Sequence, residues 1–172
     1  MMAVTTAAKG SELSPVIVEA AAQGVENTLA SICGAKPQRL AGDGAVPTSD
    51  IIGIITYLGD VSWSFALLLP QATASSLIQK FVGMEIPFDS ADMGDAVGEL
   101  ANVIGGDVSA RLEARRVKAK MSLPLVARGT DVKVYAATGI PEVRLAYRAA
   151  QGPFWVKLTS DPGALNARRP GT

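Results

Sequence analysis

Asp95, Glu99, Asn102 and Gly106 follow one another at spacings of four, three and four residues. At 100° per residue these positions share one side of a helix, so a carboxylate and an amide can face the same partner. Glycine leaves its end of that ridge low, and another surface can come close there. Val97, Leu100, Ile104, Val108 and Leu112 fall on the opposite side, as a core stripe should. An ordinary solvated face also carries Asp, Glu and Asn, and spacing alone favours that plain reading. Two features weigh against it. Asn is a weaker helix former than Lys, Gln or Glu. Gly105 and Gly106 sit together inside the pattern and should cost about 1–2 kcal/mol relative to alanine, which calls for a packing or approach reason.

Other chemistries are removed by composition. The chain has no histidine, so Ser-His-Asp and Cys-His nucleophile systems are excluded, as is the HExxH zinc site. No phosphate-binding glycine motif occurs, and the carboxylates form no recognisable metal-ligand cluster. Cys33 and Arg39 have the C-x5-R spacing of cysteine phosphatases, but GAKPQ between them follows a predicted helix, and Pro37 removes a backbone donor. Chance spacing explains the pair, and Cys33 is expected to be a small buried apolar residue. As the single cysteine, it can form no internal disulfide.

Presenting the ridge requires a long helix, and DMGDAVGELANVIGGDVSARLEA supplies one from about Asp92 to Ala114, capped by Ser90 or Asp92. An earlier long helix is expected from Ser14, with Pro15 in its first turn, to near Gly34. Residues 36–48 are turn-rich with room for a short strand. Ile51–Leu58 and Val61–Leu69 read as a hairpin turning at Gly59-Asp60, with Trp63, Phe65, Leu67 and Leu69 on one face. A short helix follows over Gln71–Val82. Strands are expected over 117–125, 131–137, 142–149 and 153–159, with turns at Gly129-Thr130, Gly139-Ile140-Pro141 and Gln151-Gly152. Trp63 and Trp155 are assigned to the core. The order predicts an α+β, two-layer fold: two long helices packed on a largely antiparallel sheet, in two pseudo-duplicated halves of helix plus strands.

The 172 residues suit one domain, expected over 14–160, with a loose arm over 1–13 and a disordered tail over 161–172. Sixteen basic residues balance sixteen acidic ones, without the basic surplus of a nucleic-acid binder. The local run Arg111, Arg115, Arg116, Lys118 and Lys120 is read as complementing a helix C-terminus. No signal peptide is evident and no apolar stretch is long enough to span a bilayer, so a cytoplasmic protein without membrane insertion is expected.

The spaced set Asp95, Glu99, Asn102 and Pro124 resembles the pattern of the CheC/CheX/FliY group of chemotaxis phosphatases, and of CheX in particular. That pattern is Asp or Ser, three residues, Glu, two residues, Asn, twenty-one residues, Pro, and all four positions match. The string GELANVIGG is also similar, and the resemblance spans roughly residues 14–160.

The resemblance implies a CheC-like fold, frequent homodimers through sheet edges, and a phosphorylated CheY-like receiver domain as substrate in two-component signalling. It implies hydrolysis of an aspartyl phosphate. Asn102 would orient the attacking water and Glu99 would contact a receiver lysine, with Asp95, Gly106 and Pro124 supporting or docking. No cofactor is expected in this chain; Mg²⁺ is expected in the partner receiver. The alternative is a non-catalytic module that binds a receiver or a flagellar switch component. CheC-like relatives can carry two active helices. Here the first helix has Glu19, Gln23 and Glu26 at the corresponding spacing. A carboxylate at the amide position would repel a phosphoryl group, so that helix is read as structural.

Overall fold

The structure is a computed structural model that describes residues 13–42 and 48–160. Helix α1 runs Pro15–Cys33, followed by strand β1 at Gln38–Arg39. Strands β2 (Ser49–Gly59) and β3 (Trp63–Leu69) form the expected hairpin. Helices α2 (Gln71–Val82) and α3 (Ala91–Ala114) come next. Strands β4 (Ala119–Met121), β5 (Leu125–Val132), β6 (Glu142–Ala149) and β7 (Gly152–Ser160) complete the described chain. The pairs are antiparallel, in the order β1-β6-β7-β3-β2-β4, with β5 also pairing β2. One layer of helices covers one face of this sheet, as expected for the two-layer α+β class.

The core lies between the layers. Trp63, Phe65, Leu67 and Leu69 alternate along β3 and are fully buried, as are Val97, Leu100, Ile104, Val108 and Leu112 of α3. Two glycines bring α3 close to β2. A β-carbon on Gly53 would lie 3.0 Å from Ala101 Cβ, and one on Gly105 would lie 3.1 Å from Tyr57 Oη. Tyr57 stacks on Trp63 at 4.1 Å between ring centroids and donates its hydroxyl hydrogen to the Gly105 carbonyl at 3.0 Å. The backbone of α3 is therefore fixed to the central strands by apolar burial and a buried hydrogen bond.

The opposite sheet face buries a smaller cluster of Ile52, Ala66 and Leu68, with Val132, Val134 and Trp155 packed against it. Trp155 thus belongs to this outer cluster, half-buried, whereas Trp63 lies in the main core. Lys157 is almost fully buried on that face and donates to the Val134 carbonyl (2.7 Å) and Glu142 Oε2 (2.6 Å). Pairing with both acceptors offsets the desolvation of its ammonium group.

Strands β6 and β7 fall where expected, but the chain between α3 and β6 departs from expectation. The strand expected over 117–125 is two strands, β4 and β5, both paired to β2 and separated by Ser122, Leu123 and Pro124. Proline has no N–H for a ladder bond, so pairing stops there and resumes. The strand expected over 131–137 ends at Val132. Gly129-Thr130 is no hairpin turn; it lies within β5, where the register with β2 shifts between Ser49 and Ile51. Asp131 takes a φ of 51° at this irregularity.

Local details also differ. Ser14 precedes α1 without a side-chain cap bond. Ser90 does cap α3, accepting from the Met93 N–H at 3.3 Å. Helix α2 begins after Pro70, and the Asp50 carboxylate accepts its Gln71 N–H at 2.8 Å. Leu13, assigned by sequence to the arm, is buried in the core. The expected arm over 1–12, the tail over 161–172 and the turn residues 43–47 lie outside the described residues.

Candidate functional site

Helix α3 lies along the core, its apolar stripe inward and its polar ridge outward. Asp95 and Glu99 are exposed, whereas Asn102 is half-buried rather than fully open. The side chains of Asp95, Glu99 and Asn102 make no hydrogen bond or ion pair with another described residue. Their hydrogen-bonding capacity is therefore available to a partner. Gly106 is exposed, with open space where a β-carbon would stand. The two adjacent glycines thus have different causes: Gly105 permits packing on Tyr57, and Gly106 leaves the outer ridge low.

The chain from Met121 to Arg128 returns beside α3. Met121 Sδ would lie 3.4 Å from a β-carbon on Gly105, and Pro124 and Val126 flank Gly98. Between helix and returning chain lies a groove of about 550 Å³. Its helix wall includes Gly94, Asp95, Gly98 and Glu99. Pro124, Val126 and Arg128 form the other wall. Three of the residues singled out by sequence, Asp95, Glu99 and Pro124, meet in this one groove. Asn102 and Gly106 lie further along the helix, outside its lining. Pro124 contributes a packing surface.

Arg128 was missed by the sequence reading, which placed it beside a turn. Its signal was the alternation of β5, where Val126 and Arg128 point to the helix side, but that pattern required knowing that Gly129-Thr130 stays within the strand.

Helix α1 offers no second copy of the ridge. Gln23 Oε1 accepts from Arg111 (3.2 Å) and Arg115 (3.4 Å) of the facing α3 region, and its amide donates to Glu19 at 2.7 Å. Arg111 also pairs with Asp107 at 2.8 Å, and Arg115 donates to the Val16 carbonyl at 3.3 Å. Part of the basic run therefore fastens α1 to α3, beyond the helix-end role expected of it.

Cys33 is half-buried at the end of α1. Burial pushes its thiol above the usual range, with Lys80 opposing the shift. A nucleophilic cysteine needs the reverse shift. Among the described residues no group of three or more His, Cys, Asp or Glu side chains could hold a metal ion. No described helix is long and apolar enough to cross a membrane.

A helical layer on one antiparallel sheet, with two carboxylates and an amide that pair with no other described residue on the outer face of α3, defines a two-layer α+β domain. The family model described as "Chemotaxis phosphatase CheX" matches residues 51–147, and the chain belongs to that family.

Solved structures share the fold. The chemotaxis protein CheX of Vibrio vulnificus is 16% identical with a TM-score of 0.75, over 84% of this chain and 96% of that one. A putative chemotaxis protein of Desulfovibrio vulgaris Hildenborough is 23% identical with a TM-score of 0.72, over 88% and 100%. A CheX-CheY-BeF3-Mg²⁺ complex from Borrelia burgdorferi is 17% identical with a TM-score of 0.69, over 84% and 96%. A comparison with curated proteins gives no match.

Proposed function

We propose that this chain hydrolyses the aspartyl phosphate of a CheY-like receiver domain, with α3 as the helix that enters the receiver's site. The observation that carries this reading is the outward presentation of Glu99 and Asn102, unpaired with other described residues, on a helix locked to the core by its other face. Membership of the CheX family and a fold shared with a protein solved in complex with CheY, BeF3 and Mg²⁺ support it.

The chemistry asks little of this chain. An aspartyl phosphate is a reactive acyl phosphate, and its hydrolysis needs a water placed in line with the P–O bond to the aspartate. The water oxygen bonds to phosphorus as that bond breaks, and the electron pair leaves on the receiver's carboxylate. Asn102 can accept from the water through Oδ1 and donate through Nδ2, fixing its direction. Mg²⁺ and a lysine of the receiver would neutralise charge on the phosphoryl oxygens. Glu99 would pair with that lysine and align the two proteins, with Asp95 as a further anionic contact one turn earlier. Gly106 would admit the receiver surface, and Pro124 would shape the groove beside Glu99.

The deciding experiment is phosphate release from a phosphorylated receiver, with and without this protein. Accelerated release that depends on Asn102 supports the reading. Binding to receivers without acceleration across plausible partners would establish the docking module instead.

A further inference from the structure

Arg128 lines the same groove as Asp95 and Glu99, yet its guanidinium is committed to the main chain. Nη1 donates to the carbonyls of Phe88 (2.8 Å) and Ser90, and Nη2 donates to that of Asp89 (2.9 Å). These are the last three residues before α3 begins at Ala91. Two residues back on the same strand face, Val126 rests against Gly98. Strand β5 thus meets α3 at two levels, a polar clamp at its start and an apolar contact at Gly98. Asp95 lies between those levels, and Glu99 follows Gly98.

We propose that Arg128 is a positioning residue for partner docking: by clamping the carbonyls of residues 88–90 it fixes the first turns of α3, and with them the directions in which Asp95 and Glu99 present their carboxylates. The docking role rests on the functional reading above. A guanidinium is a planar fork of five donors and can gather several carbonyls at once; a lysine ammonium supplies the charge without the fork. With the clamp removed, the entry to α3 keeps the Ser90 cap, whose hydroxyl accepts from Met93 N–H and donates to the Pro87 carbonyl. It also keeps a Ser90 N–H bond to the same carbonyl and the buried Met93 side chain, but loses every tie to β5 ahead of Ala91 that the guanidinium supplied. The helix then frays from its start. Asp95 and Glu99 feel that fraying before Asn102, which lies deeper in the helix. Docking should weaken while the positioning of water persists.

The test uses the full chain carrying Arg128→Lys or Arg128→Gln. Steady-state phosphate release from a phosphorylated receiver should show KM raised about tenfold in both variants, with kcat within about twofold of the parent. Amide hydrogen exchange, measured without receiver, should accelerate about tenfold at Met93, Gly94 and Asp95 and stay at parental rates from Leu100 to Val108. A parental KM for Arg128→Lys would overturn the proposal, because charge alone would then suffice. Unchanged exchange at residues 93–95 would overturn it too, as would uniform acceleration along α3, which signals general destabilisation. Exchange needs no receiver, so the clamp is tested even if the parent hydrolyses nothing. Parental inactivity would instead count against the phosphatase reading.

Discussion

Pro124 rests on α3 at Gly98, where an added β-carbon would stand 3.6 Å from the proline Cγ. Gly98 is the residue just before Glu99, so a proline twenty-two positions beyond Asn102 in sequence comes back beside the proposed site. The geometry accounts for that interval. From Gly98 the helix runs sixteen further residues to Ala114, a rise of about 24 Å. After the turn at 115–116, the largely extended chain from Val117 to Pro124 returns about 23 Å. The two lengths match, and the chain arrives at the level it left.

Replacing Asn102 by alanine should remove most phosphatase activity while leaving the fold and much of the receiver binding. Its half-buried side chain makes no hydrogen bond to a described residue, so the stability change should stay within about 0.5 kcal/mol. Single-turnover phosphate release, beside binding to a stable acyl-phosphate mimic of the receiver, separates the two effects. Near-normal turnover would refute the water-positioning role.

Leu100 and Glu99 are neighbours in sequence and face opposite ways. Leu100→Ala should destabilise by about 2–5 kcal/mol, because its side chain is fully buried. Glu99→Ala should shift stability by no more than about 0.5 kcal/mol and weaken receiver binding and activity. Urea unfolding run alongside the activity assay reads both. A large stability loss for Glu99→Ala would assign it a structural role.

Gly105 and Gly106 should respond in opposite directions. Gly106→Ala fills open space on an exposed helix face and should stabilise by about 0.5–1 kcal/mol. Gly105→Val would crowd the Tyr57 hydroxyl, which donates to the Gly105 carbonyl, and should destabilise by about 1–3 kcal/mol. Denaturant midpoints of the two variants give the comparison; equal shifts would show that the helix does not pack on Tyr57 as described.

Cys33→Ser should retain full activity. In the parent, burial holds the thiol above its ordinary pKa, so less thiolate is present at a given pH than in a free cysteine. Labelling by a thiol-disulfide reagent at pH 8 should accordingly be slower than for a free cysteine, and should speed up as the pH rises toward the raised pKa. Rapid labelling at neutral pH, or loss of phosphate release in Cys33→Ser, would reopen the cysteine route.

What the sequence determined by itself follows from local periodicity. The stripe from Val97 to Leu112 fixed the inward face of α3 and hence the outward side of Asp95, Glu99 and Asn102, because a helix repeats its direction every 3.6 residues whatever surrounds it. The hairpin of β2 and β3 and the bounds of α2 were legible for the same reason: their apolar patterns and turn residues lie within a few positions of one another. The strands β6 and β7 were legible as well, but tertiary structure alone decided the strands between α3 and β6. Gly129-Thr130 carries a turn signal, yet pairing to β2 across about eighty residues of sequence absorbs it into a strand irregularity. That pairing also turns Val126 and Arg128 toward the helix, so the groove beside Glu99 and the clamp on residues 88–90 had no local signature beyond the alternation of β5 itself. Strand partners and close approaches depend on which distant backbone supplies the hydrogen bonds, and a local sequence pattern does not name that partner.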